Sequence, residues 1–397
     1  MSLTPVPAAA RIEALRAILE REELDYHLVT HSSDIRWLTD WSGVFDEEQA
    51  HLLLVASQRA TDDEPLGYLK TDSRYSAAMR AQATAANWQI NDERIAQSDY
   101  LAERLKARAA RDLSAGTGAA RPLRLGIEAD LALNRFRALE KVFTAAAPAA
   151  APLSFRVELI ECADLLSGLR ARKDAGEVAA LKAAQAITDA AFAQILNFIR
   201  PGLSERRVAS ELEYLMRKLG ADGPAFPSIV ASGPNSAVPH AVPGDRVLCT
   251  GDFVLLDFGA RINGYCSDMT RTVILGKASA AQRRLYATVL DAHLQAAAAI
   301  RAGTTGAAVA EQVNALFAAA GYGELSHGLG HGVGLDIHEL PVLAVKATET
   351  LEIGNVVTVE PGIYIQGQGG VRIENLGLIG EWGFESFTTS PRDLIEL

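Results

Sequence analysis

Asp257 and Asp268 fall within FVLLDFGARINGYCSDMTRTV, the stretch from Phe253 to Val273, on either side of Asn263-Gly264. Asn-Gly between apolar and β-branched runs signals a two-residue hairpin, because a type I′ turn requires positive φ at both central positions. A turn there sets Ile262 opposite Tyr265, Ala260 opposite Ser267, Gly259 opposite Asp268 and Asp257 opposite Thr270. The two aspartates then share a face as diagonal neighbours, with Cβ atoms about 7–8 Å apart or somewhat less. Carboxylates so placed can share a cation. For these residues taken alone, a merely solvated face carrying Asp257, Asp268, Thr270 and Arg261 is the competing reading.

Of the eight histidines, His240, His327, His331 and His338 fall in glycine-rich stretches of the second half. HGLGHGVGLDIHE sets His327, His331 and His338 among glycines, where the backbone can approach a ligand closely. The helical HExxH zinc motif does not apply: no glutamate lies between His327 and His331, and the glycines oppose a helix. A flexible loop with exposed histidines is the alternative. Further on, NVVTVE is a β-branched strand ending on Glu360, and VRIENL, from Val371 to Leu376, reads as one alternating strand. Val371 and Ile373 take one face of it, Arg372 and Glu374 the other. A solvated edge explains any one of these acids, but four carboxylates in a core sheet without counter-charge cost several kcal/mol per desolvated ion. Divalent cations remove that cost. Oxygen-rich ligation with one or two imidazoles favours Mn²⁺ first, with Co²⁺, Zn²⁺ or Fe²⁺ also accommodated. Two such ions, about 3.5–4 Å apart, can bind and ionise a bridging water and polarise a carbonyl.

The elements that must position these groups follow from periodicity. At 397 residues the chain is expected to form two domains. In the first half, helices are expected over 9–22, 74–86, 98–111 and 131–143, and strands over 26–29, 51–56, 66–70 and 123–128. The alanine- and proline-rich tract Thr144–Leu153 reads as a linker, which gives domains of 1–150 and 151–397. Beyond it, Asp174 and Ser204 cap two helices, SIVASGPNSAVPHAVPGDR forms a shaped loop, and helical patterns cover Ser279–Arg301 and Thr305–Ala320. A net charge of −11 without a basic patch disfavours nucleic acid and anionic membrane as partners. No apolar run approaches a membrane span, and the opening residues read as an amphipathic helix rather than an export signal. Cys162, Cys249 and Cys266, few and widely spaced, fit a reducing compartment, so a cytoplasmic location is expected.

DFGARINGYCSDMTRT, HGLGHGVGLDIHE, VEPGIY and VRIEN, in that order, resemble the motifs of the "pita-bread" metallopeptidase family, which includes Xaa-Pro aminopeptidase, Xaa-Pro dipeptidase (prolidase) and methionine aminopeptidase. The resemblance runs from about Asp174 to the end. It implies Asp257, Asp268, His331, Glu360 and Glu374 as metal ligands, with Asp268 and Glu374 bridging two ions and Glu360 also handling the water proton. SGPNSAVPHAVPGDR resembles the proline-specific branch, in which the matching His240 and His338 contact substrate and stabilise the tetrahedral intermediate. By the same resemblance His327 lines the pocket, while Arg372 is a candidate for holding a substrate carboxylate or ordering the metal shell. DIRWLTDWSG and TDSRYSAAMRAQ resemble the amino-terminal domain of the proline-specific enzymes and creatinase.

The implied fold is α+β: a carboxy-terminal pita-bread domain, whose curved antiparallel sheet is covered by helices, preceded by an α/β creatinase-like domain. The implied activity is hydrolysis of the bond between an amino-terminal residue and a following proline, on small peptides, by a homodimer. Relatives of this fold that act on non-peptide metabolites as hydrolases or lyases, or only bind partners, generally lack part of the ligand set; all five ligands are present here. One departure is Asn375, where the family usually has aspartate after the bridging glutamate; a neutral amide there can tune the metal shell.

Overall fold

The computed structural model describes residues 4–44, 50–58, 65–83, 88–114, 121–145 and 156–397. Two compact units divide between Leu169 and Arg170, beyond the boundary expected at 150. The cause is a strand: Val157–Cys162 pairs in parallel with Leu123–Glu128 and so belongs to the first unit's sheet. Most of the expected linker lies outside the described residues, and Thr144 still belongs to the helix before it.

In the first unit, helix α1 (Ala8–Arg21) leads into β1 (Tyr26–Val29) and α2 (Ser32–Thr39). Strands β2 (Leu52–Ala56) and β3 (Gly67–Lys70), helix α3 (Ser76–Gln82), β4 (Trp88–Asn91), α4 (Gln97–Ser114), β5 (Leu123–Glu128), α5 (Leu133–Ala145) and β6 (Val157–Cys162) follow. The sheet order is β4-β3-β2-β1-β5-β6. Leu28, Leu54, Leu125 and Ile127 of the sheet pack with Leu101 and Leu105 of α4.

His31, at the N-cap of α2, lies with Nε2 3.1 Å from Asp130 and Nδ1 3.7 Å from Asp34. Asp34 foremost, with Glu128 and Asp130, raises its pKa to about 9 against the opposing effect of burial. A histidine raised above its unfolded value near 6.5 stabilises the fold fully below that pH, and this contribution is lost as pH rises through about 9. With the side chain 40% exposed, solvent screening trims the effect. Thermal stability, followed by calorimetry of the first unit's transition, is expected to fall more steeply from about pH 6.5 to 9 in the wild type than in His31→Gln.

The second unit begins within α6 (Ser167–Ala171) and is built from antiparallel pairs. Helices α7 (Ala175–Ile195) and α8 (Glu205–Lys218) start where the caps predict: Asp174 forms a full capping box with Glu177, and the Ser204 hydroxyl accepts from Arg207 N–H. The pair covers a three-stranded sheet, and the short β7 (Gly223–Pro224) joins a smaller ribbon. Strand β8 (Ile229–Ser232) is the first surprise, since it arises from the tract expected to be loop. It pairs with β9 (Phe253–Phe258), Ile229 opposite Asp257.

The predicted hairpin follows as β9, β10 (Ala260–Ile262), β11 (Tyr265–Cys266) and β12 (Met269–Ile274). Asn263 and Gly264 take φ of 47° and 75°, Ile262 faces Tyr265, and Asp257 faces Thr270, as the turn chemistry requires. Between the two ladders Gly259 lies so close to the partner strand that a Cβ there would stand 1.8 Å from the Ser267 carbonyl oxygen.

Helices α9 (Ala280–Ala299) and α10 (Gly306–Ala319) come next, capped by Ser279 and Thr305. Strand β13 (Gly330–Gly332) follows, and the two helices pack on β14 (Glu339–Leu343), β15 (Val356–Val359), β16 (Gly362–Ile365) and β17 (Gly369–Arg372). VRIENL is not one strand: β17 ends at Arg372, and β18 (Asn375–Gly380) joins β15 in another sheet, before the closing β19 (Gly383–Ser386). The chain crosses between sheets at Ile373-Glu374. Among the described residues no helix is long and apolar enough to cross a membrane.

Candidate metal centre

Three strand ends, the middle of one short strand and one crossing deliver the acids and one imidazole to a common place. Asp257 projects from β9, Asp268 precedes β12, His331 sits mid-β13, Glu360 follows β15, and Glu374 occupies the crossing between β17 and β18. Asp268, His331 and Glu374 each offer a ligand atom, all within 4.8 Å of one another. His331 Nε2 is 3.5 Å from Asp268 Oδ2 and 3.4 Å from Glu360 Oε1. Its Nδ1 is 3.0 Å from the Gly332 carbonyl, so the neutral ring donates there and turns the Nε2 lone pair toward the carboxylates. Strand β13 can carry His331 because Gly330 has no side chain; a Cβ there would lie 2.1 Å from the Thr358 carbonyl oxygen.

The electrostatics are those of too many acids in too little water. Burial, then Glu374, Asp257 and Glu360, push Asp268 well above the usual carboxylate range. Burial, then Glu360 and Asp257, do the same to Glu374. Glu360 is raised by burial, with His327 and Arg372 opposing. Burial lowers His331, His327 and His338, which keeps the imidazoles neutral and their lone pairs available.

Arg372 is the buried cation nearest these acids. Burial alone would lower its pKa, but Tyr364, Asp257, Glu360 and Glu374 hold it well above the ordinary guanidinium value. It donates to Asp257 Oδ2, to Thr270 Oγ1 at 2.9 Å and to Tyr364 Oη at 2.6 Å. Asp257 Oδ1, equally buried, has no hydrogen-bond partner among the described residues. An orphaned carboxylate oxygen beside mutually repelling acids is what a missing divalent cation would leave, and one imidazole among carboxylate oxygens suits a hard or borderline ion.

The other histidines divide by exposure. His338 is exposed, with its ring 4.4 Å from that of His331, and His240 is exposed in the loop after the short 3-10 turn at Gly233–Ala237. His327 is more enclosed: Nε2 is 2.9 Å from Tyr364 Oη and Nδ1 2.7 Å from the Gly328 carbonyl. Burial pushes the Tyr364 phenol to about 12, so it stays protonated, accepting from Arg372 and donating to His327. Tyr364 and Thr270 escaped the reading of single residues, although VEPGIY contains the first and the hairpin register sets the second opposite Asp257. Thr270 donates to Glu374 Oε2 at 2.7 Å, tying the hairpin to the crossing. Thr358 makes a similar tie, accepting from His331 N–H at 3.0 Å and donating to Glu360 at 3.3 Å. Asn375 Oδ1 accepts from the buried Arg271 at 2.8 Å, and Arg271 also donates to the Glu374 carbonyl, so the neutral amide serves the backbone behind Glu374.

In the first unit, His31, Asp34 and Glu128 likewise bring ligand atoms within 4.8 Å. There the carboxylates raise the imidazole to about 9, which accounts for the cluster as an ion-paired histidine at the start of α2.

A model of metallopeptidase family M24 matches residues 179–381, and one of the creatinase/prolidase N-terminal domain matches 11–171. The uncharacterized peptidase YqhT of Bacillus subtilis is 35% identical over 389 residues, 98% of this chain and 100% of that protein. The solved structure of an Xaa-Pro dipeptidase from Bacillus anthracis has a TM-score of 0.85 at 38% identity, with 98% and 100% of the two chains covered. That of an X-Pro aminopeptidase from Thermotoga maritima has a TM-score of 0.80 at 31% identity, covering 97% and 99%. This chain therefore belongs to metallopeptidase family M24, with the α+β pita-bread fold and an amino-terminal creatinase/prolidase domain, and is a metal-dependent hydrolase.

Proposed function

We propose that the protein is a two-metal peptidase that hydrolyses the bond between an amino-terminal residue and a following proline in small peptides. The observation that carries this reading is the convergence of Asp268, His331 and Glu374, with Glu360 against the same imidazole. Asp268 and Glu374 would bridge two ions, Asp257 would complete one shell through its orphaned Oδ1, and His331 with Glu360 would hold the other. Mn²⁺ is the ion this donor set suits first. When bound, the pair supplies Lewis acidity and an acidified water for attack on a carbonyl.

The chain's own groups do the rest. Glu360, raised by burial, is suited to receive a proton from the attacking water and pass it to the leaving imide nitrogen of proline. His338 and His240, at the exposed side, contact the substrate and stabilise the oxyanion of the tetrahedral intermediate. His327, held by Tyr364, lines the pocket. Arg372 has its donors committed to Asp257, Thr270 and Tyr364, so of its two candidate roles we assign it the ordering of the shell. A homodimer working in the cytoplasm completes this reading.

The test is a panel of Xaa-Pro, Xaa-Pro-Yaa, longer Xaa-Pro peptides and their Xaa-Ala counterparts, assayed with Mn²⁺. Cleavage confined to the proline series supports the proposal, and the longest peptide cleaved assigns dipeptidase or aminopeptidase activity. Equal cleavage of the alanine series, or none of either, contradicts it.

A further inference from the structure

Helix α9 presents Leu285, Tyr286, Val289, Ala292 and Ala296 to the core, and in the middle of this face it carries His293, which is fully buried. The core this face packs on includes Val359, Ile363, Val371 and Ile373. An imidazole there needs a reason, because a polar ring in an apolar core is costly unless it is hydrogen-bonded. The ring's Nδ1 lies 3.1 Å from the carbonyl oxygen of Val359. That carbonyl and the N–H of Glu360 belong to one peptide unit, and the N–H donates to the Leu329 carbonyl at 2.8 Å. The peptide from which the Glu360 side chain springs is thus pinned at both ends.

We propose that His293 is a positioning residue for the metal centre, holding from helix α9 the backbone immediately before Glu360 so that its carboxylate is aimed at the metal site. The inference rests on the reading of Glu360 as a ligand. Burial lowers the imidazole to about 3, with Arg271 and Arg392 adding, so the neutral ring donates a single proton. The proton on Nδ1 serves Val359. Nε2 has no hydrogen-bond partner among the described residues. A group that fixes a ligand-bearing peptide without touching metal or substrate should act on metal affinity and turnover, and leave substrate affinity alone.

The test compares His293→Leu, which fills the volume without a donor, with His293→Asn, whose amide can donate near the Nδ1 position. Val289→Ala, one turn away in the same buried face, serves as a control for a weakened core. Mn²⁺ affinity is measured by calorimetry on metal-stripped protein, and kcat and KM on an Xaa-Pro peptide at saturating metal. His293→Leu is expected to weaken Mn²⁺ binding about 10- to 100-fold and to lower kcat with KM unchanged, while His293→Asn recovers most of both. Val289→Ala should lower the melting temperature and keep Mn²⁺ affinity. If His293→Leu does not fold, His293→Gln replaces it; its longer amide misses the Val359 carbonyl, so Asn should bind Mn²⁺ more tightly than Gln. Wild-type affinity in His293→Leu, equal affinities in Asn and Gln, or an equal loss in Val289→Ala would overturn the proposal. Wild-type protein that binds no Mn²⁺ would overturn the ligand reading itself, and this inference with it.

Discussion

Asp268→Asn is expected to abolish peptide cleavage, a fall of about 10³-fold or more, while the metal-free protein becomes more stable at neutral pH. The first half follows from the proposed bridging role: a ligand shared by both ions cannot be lost without losing the transition-state charge stabilisation they would provide. That term is several kcal/mol, and about 1.4 kcal/mol corresponds to a factor of ten in rate. The second half follows from the electrostatics. Asp268, Glu374 and Glu360 are all raised in the fold, chiefly by burial. A carboxyl whose folded pKa exceeds its unfolded value near 4 stabilises when protonated, and destabilises as pH rises through the folded value. Metal-free wild type should therefore lose stability as pH rises from about 4 toward neutrality, with a shallower slope in the variant. Mn²⁺ should raise the wild-type melting temperature, by about 2.7 kcal/mol of stability for each site at a hundredfold excess over Kd, and should scarcely move the variant. Thermal melts across pH with and without Mn²⁺, beside an activity assay, read all three effects. Near-normal turnover in Asp268→Asn would refute the bridge.

Arg372→Met carries the second large effect, on stability and activity together. The guanidinium is buried and holds Asp257, Thr270 and Tyr364 at once. Breaking a buried pair by removing one partner costs about 3–5 kcal/mol, because the other charge is left uncompensated. Here that charge is Asp257, already beside three acids. Chemical denaturation of the metal-free variant should show such a loss in the second unit's transition, with Mn²⁺ returning part of it. Turnover should fall as well, since Tyr364 then loses the donor that orients it toward His327. Arg372→Lys keeps the charge but cannot span three partners, and is expected to recover stability better than turnover. A Met variant as stable as the wild type would remove Arg372 from its assigned role.

What could be read from residues alone was whatever depends on short range. Asn263-Gly264 fixed a register because its φ requirement is local, and Asp174 and Ser204 marked helix starts because a cap acts within one turn. Strand β8 was hidden among prolines and glycines, since its reason to exist is pairing with β9, more than twenty residues away. VRIENL misled differently: its alternation is genuine, but period two does not say whether successive residues stay in one sheet, and the chain changes sheets at Ile373-Glu374. His293 left no trace, because one histidine in an alanine-rich helix looks like any other until Val359 is found beside it. The acids proposed as ligands were visible because charge inside strand patterns is costly, and that cost is a local signal.

The most direct test of the central claim is a Mn²⁺ titration of chelator-stripped protein, with cleavage of an Xaa-Pro peptide as the readout. The account predicts no cleavage in the stripped protein and full recovery on binding two Mn²⁺ per chain. Undiminished cleavage in metal-stripped protein, or saturation with less than one ion bound, would contradict it.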